Sequence, residues 1–183
     1  SFHPVKNLAM PTGGLIAIND KNHKKIRDSI QAKRWCGIEN RNDDSYEINE
    51  LGDNYYMNEF SAVIGIEQLK KLNKMNSIRR KIAKQYFSEI EIERKMSFEK
   101  ECSYHLYWIC VKNREYFRKK LYENGIQTGT HYKPIHTFSL YQDHTRLPCT
   151  EIVGKQIVTI PMHPNITEDQ IDKIISLTNK FAK

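Results

Sequence analysis

No stretch of this chain approaches the roughly 20 consecutive apolar residues that a helix needs to cross a bilayer. Its first residues also lack the basic, apolar, small-residue order of a secretory signal. No membrane association is expected, and the sequence reads as that of a soluble, cytoplasmic protein. The four cysteines, Cys36, Cys102, Cys110 and Cys149, stand singly, without a C-x-x-C pair or a histidine spacing that would make a zinc site. They read as reduced, mostly buried thiols, and no metal is expected. A zinc finger, an RNA-binding aromatic signature and a long basic run are all missing, so no nucleic-acid partner is expected either. Nor is there an internal repeat or a low-complexity tract.

What is present is a globular composition, 39% hydrophobic and 28% charged over 183 residues. That length suits one ordinary domain, or a domain plus a piece of another. The formal charge of +7 is spread over short groups such as Lys24-Lys25, Lys70-Lys71, Arg79-Arg80-Lys81 and Arg118-Lys119-Lys120. In helical patterns such groups form solvated faces. A modest positive field of this kind also suits a small anionic substrate such as a nucleotide diphosphate.

Residues 13–19 form a β-branched apolar run after a glycine pair and predict a buried strand. Asp20 is expected to cap a helix over 21–33, with Ile26 and Ile30 inward. The polar, aperiodic stretch 37–53 predicts a long loop of functional weight. Helical spacing of Met57, Phe60, Val63, Ile64 and Leu69, then of Met75, Ile78, Ile82, Tyr86 and Ile90, predicts one long helix or a kinked pair. A strand over 104–111 follows, then a helix over 114–123 stopped by Asn124-Gly125. Another strand is expected over 126–132, a helix from Pro148 to Lys155 and a brief strand over 157–160. A capping box at Thr167-x-x-Gln170 opens the last helix, whose stripe is Ile171, Ile174, Ile175 and Phe181.

The chemistry-bearing feature is Ser-Phe-His-Pro-Val-Lys-Asn, residues 1–7, which carries Lys6 on a proline-stiffened approach to the Gly13-Gly14 turn. A lysine held in a dry pocket can lose its proton and attack a carbonyl, so Schiff-base chemistry is one reading of Lys6. An ordinary surface lysine is the other.

Three further blocks stand in order behind it. They are residues 52–59 (Gly-Asp-Asn-Tyr-Tyr-Met-Asn-Glu), 129–136 (Gly-Thr-His-Tyr-Lys-Pro-Ile-His) and 160–168 (Ile-Pro-Met-His-Pro-Asn-Ile-Thr-Glu). Together the four blocks resemble the DegT/DnrJ/StrS-type nucleotide-sugar aminotransferases, and the similarity covers nearly the whole chain. The resemblance implies the α/β PLP-transferase fold of the aspartate aminotransferase type, with pyridoxal 5'-phosphate as cofactor. Family members are about twice this long. The chain therefore corresponds to their C-terminal half: residues 1–56 as the end of the cofactor-binding large domain, 57–92 as a connecting helix or helix pair, and 93–183 as the small α+β C-terminal domain.

On the same resemblance Lys6 is the catalytic residue, anchoring the cofactor and shuttling a proton. Ser1 matches the serine that reaches the cofactor phosphate, and Asn54 the asparagine that crosses a homodimer interface to the partner's phosphate. Asn54 also reads as a plain helix-entry residue. His131, Tyr132 and Lys133 match a loop that approaches the nucleotide sugar, with Lys133 facing a diphosphate as a point charge; packing of the corner by Tyr132 and His136 is the competing reading. Trp35 falls at a variable substrate-facing turn, where an aromatic either stacks on a ring or caps the core.

Two departures bear on the substrate: Met10-Pro11-Thr12 replaces an acidic residue before the glycines, and Tyr56 stands where many relatives have Arg or His. The related sugar dehydratases carry histidine in place of the cofactor lysine, so Lys6 favours amino transfer. The expected reaction moves an amino group, from glutamate, to a keto group of a nucleotide-linked deoxysugar, at carbon 4. The chain alone is expected to be inactive, because the group that pairs with the pyridine nitrogen lies outside it. A different class of reading is a non-catalytic fragment, or a split or degenerate relative, serving as a dimerisation or partner chain.

Overall fold

A computed structural model describes residues 1–141 and 145–182. The elements are α1 (His23–Arg34), β1 (Ile38–Glu39), β2 (Glu47–Ile48), α2 (Glu59–Glu89), β3 (Tyr107–Cys110), α3 (Arg114–Glu123), α4 (Pro148–Gln156), β4 (Ile157–Ile160) and α5 (Glu168–Phe181). Short 3-10 turns occupy Ile135–Thr137 and Ser139–Tyr141. The packing separates two units, Ser1–Leu72 and Asn73–Lys183, with the division inside α2.

In the first unit, the segment before α1 folds back on itself: the Phe2 N–H donates to the Gly13 carbonyl at 2.9 Å and the Met10 N–H to the Phe2 carbonyl at 2.8 Å. Met10 is buried, and a Cβ on Gly65 of α2 would stand 2.6 Å from its sulfur, so only glycine allows this approach. Asp20 does not cap α1. Its carboxylate accepts from the Asn22 N–H at 2.7 Å, and Asn22 is the cap residue, one turn-closing bond later than expected. Ile26 and Ile30 are half-buried beside the buried Ala32.

The expected loop over 37–53 contains a small antiparallel hairpin, with Ile38 opposite Ile48 and Glu39 opposite Glu47. Gly37, at φ +79°, makes its start possible, because a Cβ there would fall on the Glu50 carbonyl oxygen. Glu50 in turn accepts from the Ser29 hydroxyl at 2.9 Å and pairs with Lys33 at 3.2 Å, which together hold its carboxyl below the usual range. The strand expected over 13–19 does not form. Leu15 and Ile16 are 71% and 69% exposed, since a strand requires a hydrogen-bonded ladder and among the described residues this run has only the Phe2 bond at Gly13.

Helix α2 is one continuous helix of 31 residues. Asn58 starts it, its side-chain oxygen accepting from the Ser61 N–H at 2.8 Å. The Ser61 and Gly65 face is buried in the first unit, whereas Phe60, Val63 and Leu69 are more than half exposed.

The second unit holds the main core. Strands β3 and β4 pair antiparallel, Tyr107 opposite Ile160 through Cys110 opposite Ile157. Single bridges extend this ladder, Lys95 to Ile109 on one edge and Gly129 to Thr159 on the other. The latter is all that forms of the strand expected over 126–132. The reason is local: Ile126 turns down to close α3, so the segment reaches the ladder only at Gly129. At that helix end Gly125 takes φ +79°, its N–H donates to the Tyr122 carbonyl, and the Ile126 N–H donates to the Leu121 carbonyl, the full Schellman pattern.

Ile82, Ala83 and Tyr86 of α2, Ile90 just after it, Phe117 and Leu121 of α3, and Ile171, Ile174 and Ile175 of α5 cover the ladder. Each such side chain contributes on the order of 1.5–3 kcal/mol when buried. Two buried tyrosines, Tyr86 and Tyr107, are satisfied: the Tyr86 hydroxyl donates to the Pro161 carbonyl and the Tyr107 hydroxyl to the Met96 carbonyl, both at 3.0 Å. Burial pushes both phenols up. The expected capping box at Thr167 and Gln170 is present.

Two surface expectations are corrected. Arg79, read as part of a solvated charge group, is 8% exposed, because its guanidinium donates to the Met162 carbonyl at 2.7 Å and the Tyr104 carbonyl at 3.4 Å. Of the cysteines only Cys110 is buried; Cys36 and Cys149 are exposed.

Candidate active site

Lys6 sits in a turn closed by its own N–H, which donates to the His3 carbonyl at 2.8 Å, inside the fold-back that the Phe2 and Gly13 bond clamps. Proline at position 4 fixes one dihedral of that turn. Lys6 is half-buried while Pro4 and Val5 on the same turn are exposed, so the amine is held at the edge of the fold rather than on a freely moving chain. Ser1 belongs to the same clamp: its hydroxyl accepts from the His3 N–H at 3.4 Å. Gly13, at φ +121°, lies so close to Met57 that an added Cβ would stand 2.7 Å from the methionine methyl. That contact ties the clamp to the segment carrying Asn54.

Asn54 lies antiparallel to the C-terminal end of α1, in a bridge with Trp35. The bonds on either side fix it: the Asp53 N–H donates to the Lys33 carbonyl at 2.9 Å and the Tyr55 N–H to the Arg34 carbonyl at 3.0 Å. Its side-chain oxygen accepts from the Tyr56 N–H at 3.3 Å, so Asn54 organises its own turn while Asn58 caps α2. Trp35 and Asn54, expected from separate blocks, thus share one cavity of about 840 Å³. Trp35 is half-buried at that cavity, its ring edge-on to Tyr56 at 4.6 Å, and the Arg34 guanidinium lies over the Tyr56 ring at 4.6 Å.

His131, Tyr132 and Lys133 lie in the second unit. The His131 Nδ1 is hydrogen-bonded to the Thr159 hydroxyl at 2.7 Å, which aims the ring along a cavity of about 550 Å³. Gly129 permits this, since a Cβ there would stand 2.6 Å from the imidazole. Tyr132 is 66% exposed and meets only the edge of His131, so it does not pack the corner. Lys133 holds its ammonium over Phe138 at 4.7 Å and lines a different cavity, of about 470 Å³, with Arg114 and Lys155. His136 packs inward, 3.5 Å from Glu151, whose carboxyl is held low by the Leu147 N–H and then by His136. Among the described residues no group of three or more His, Cys, Asp or Glu is placed to hold a metal, and no helix is long and apolar enough to cross a membrane.

Sequence reasoning passed over Arg34 and Arg41 and took Tyr56 only as a departure, yet all three line the cavity with Trp35. Their one signal in the sequence is that departure at Tyr56. It also passed over His163, whose imidazole is pushed down by desolvation and then by the nearby Arg79 charge.

The donor set of the first unit fits a phosphorylated aldehyde. A lysine amine on an ordered turn suits the carbonyl, and the Ser1 hydroxyl on the same clamp and the Asn54 amide are donors of the kind a phosphate needs. Comparison with known proteins agrees with this. The profile of the DegT/DnrJ/EryC1/StrS aminotransferase family matches residues 1–178. The uncharacterised protein MJ1066 of Methanocaldococcus jannaschii is 28% identical over all of this chain and 53% of its own length. Among solved structures, PseC of Helicobacter pylori, an aminotransferase involved in the biosynthesis of pseudoaminic acid, superposes with a TM-score of 0.86 at 26% identity, covering 98% of this chain and 51% of that one. The sugar aminotransferase CalS13 of Micromonospora echinospora gives 0.78 at 25%, over 86% and 45%. The PLP form of Spr1654 of Streptococcus pneumoniae gives 0.85 at 22%, over 98% and 50%, and carries the same fold. The chain thus spans about half the length of the relatives it matches, and its fold is the corresponding part of the PLP-dependent aminotransferase fold.

Proposed function

The chain belongs to the DegT/DnrJ/EryC1/StrS aminotransferase family, and from that premise we propose that it is the C-terminal half of a pyridoxal-phosphate-dependent nucleotide-sugar aminotransferase. The observation that carries this reading is the family match running from the Lys6 clamp to α5, with Lys6 half-buried in the turn that the clamp closes.

In this reading Lys6 would anchor the cofactor covalently and the Ser1 hydroxyl would donate to its phosphate, while the Asn54 amide would donate to the phosphate of the cofactor in the partner's site. Bound there, the cofactor supplies the electron sink for amino transfer. Once released from the anchor, the Lys6 amine is the group in place to move the proton at the substrate carbon. The clamp orders the backbone from which the Lys6 side chain leaves, which lowers the entropy lost in reaching the reacting atoms. Trp35 is assigned to the nucleotide-linked sugar, and so, each on its own ground, are His131, Tyr132 and Lys133. Glutamate is the amino donor and the keto group lies at carbon 4.

The protein works as a cytoplasmic homodimer in which Asn54 serves the partner's site. The exposed apolar positions Phe60, Val63 and Leu69 on α2 support a covered interface. The divisions 1–56, 57–92 and 93–183 are its large-domain end, connecting helix and small domain.

Protein expressed from its full reading frame, loaded with pyridoxal phosphate and reduced with borohydride, is expected to carry the adduct on Lys6 by peptide mapping. An adduct on another lysine that persists in Lys6→Ala overturns the assignment.

A further inference from the structure

In the second unit a single backbone bridge brings three residues together. Gly129 and Thr159 exchange both backbone hydrogen bonds, each at 2.9 Å, and just beyond Gly129 the His131 ring lies back so that its Nδ1 is 2.7 Å from the Thr159 hydroxyl. Glycine makes the room. A Cβ at position 129 would stand 2.6 Å from the imidazole Cε1 and 2.8 Å from the Thr159 hydroxyl oxygen. Thr159 is 5% exposed, and among the described residues its hydroxyl has no hydrogen-bond partner other than His131. That single partner decides the direction of the bond. A hydroxyl has one proton to place, and a neutral imidazole has one nitrogen that donates and one that accepts. Were Nδ1 to carry the ring proton, it would donate to the hydroxyl oxygen, and the hydroxyl proton would be buried without an acceptor. With the hydroxyl donating to Nδ1 both groups are satisfied, and a buried donor left unmade is the costlier arrangement.

We propose that Thr159 is the positioning residue of His131: its hydroxyl donates to Nδ1, holds the neutral ring as the Nε2–H tautomer, and so presents an N–H donor, not a base, to the cavity of about 550 Å³ that His131 lines. A donor of this kind takes an oxygen acceptor. The rest of the lining agrees, since Lys173 and Gln127 add donors and no aspartate or glutamate is among the described lining residues. A ring fixed in this tautomer cannot take a proton at Nε2, so proton movement at the substrate carbon stays with Lys6. The contact between His131 and the nucleotide-linked sugar rests on the proposed function, whereas the tautomer does not.

The test uses protein expressed from its full reading frame, labelled with nitrogen-15 histidine and held at about pH 8.5, where ordinary imidazoles are neutral. His131→Gln identifies the His131 signals by their loss. Proton–nitrogen correlation spectra of the ring then report which nitrogen carries the proton. Nε2–H is expected to exceed Nδ1–H about tenfold or more, the ratio that follows from keeping one buried donor satisfied. The ring Hε1 should also show a nuclear Overhauser contact to the Gly129 α-protons, as the close approach of the two residues requires. Thr159→Ser keeps the hydroxyl and should retain both signatures. Thr159→Val keeps the volume but not the hydroxyl, and should return the ring to the mixed tautomers of a free imidazole. Gly129→Ala should do the same with the hydroxyl still present, because its methyl takes the place of the ring.

A wild-type ring protonated at Nδ1 overturns the proposal whatever the variants do, and so does an unchanged tautomer ratio in Thr159→Val that circular dichroism shows to be folded. Should Thr159→Val not fold, Gly129→Ala decides: loss of the Nε2–H excess there supports the proposal, and its retention overturns it. Lys6 trapping together with an Nδ1–H ring retires the role of Thr159 alone. Failed trapping together with a Thr159-dependent Nε2–H ring retires the cofactor assignment and keeps the role of Thr159.

Discussion

Replacing Arg79 by alanine removes the one cation buried among the described residues of the second unit, and the structure sets the size of the effect. Its Nη1 donates to the Met162 carbonyl at 2.7 Å, a charge-assisted bond of roughly 2 kcal/mol whose loss also strands a carbonyl. The contact to the Tyr104 carbonyl at 3.4 Å adds little. Loss of the buried aliphatic stem costs about 2 kcal/mol more, at roughly 0.8 kcal/mol per methylene. Against this, the Arg79 Nε is buried without an acceptor among the described residues, and relief of that group returns about 1 kcal/mol. The net expectation is a loss of about 3 kcal/mol. With a urea slope of about 1.5 kcal/mol per molar, the midpoint falls by about 2 M.

Trp108 on β3 reports this unit in a Trp35→Phe background. A second readout separates charge from packing. Burial and then the Arg79 charge hold the His163 imidazole below its ordinary value, so the folded state binds this proton less readily than the unfolded chain. The stability due to His163 is therefore complete above about pH 6.5 and is lost as the pH falls below it, by at most about 1.4 kcal/mol per pH unit. In Arg79→Ala the His163 titration followed by NMR should move up, and this acid loss should shrink, while the part due to burial stays. A midpoint shift below about 0.5 M urea, or a His163 titration that does not move, would refute the argument.

Two other outcomes are expected. Gly125→Ala should cost about 1 kcal/mol, measured by the same unfolding curve, because φ is +79° while nothing lies within 4 Å of an added Cβ, so the penalty is conformational alone. If Asn54 serves the partner's site, mixing Asn54→Ala with Lys6→Ala protein should restore one intact site per heterodimer, and heterodimers without activity would count against the crossing arrangement.

The sequence by itself determined the features whose causes are local. The stop of α3 is written in Asn124-Gly125, because only glycine enters the left-handed turn cheaply. The start of α5 is written in Thr167 and Gln170, which satisfy each other's backbone, and its inner face in the spacing of Ile171, Ile174 and Ile175. The ordered blocks around Lys6, Asn54, His131 and His163 were likewise legible as a family pattern, now matched over residues 1–178. Tertiary structure decided whatever depends on a partner distant in the chain. Apolar runs at 13–19 and 126–132 have strand composition, but a strand exists only where another backbone runs alongside and bonds to it repeatedly; among the described residues the first has the single Phe2 bond at Gly13 and the second the single bridge from Gly129 to Thr159. Arg79 looks like a solvent-facing charge in its own helix and is buried because carbonyls 25 and 83 residues away converge on it. Arg34 and Tyr56 are unremarkable apart, and they meet only because residues 53–55 bond alongside the end of α1, a pairing that no local periodicity encodes.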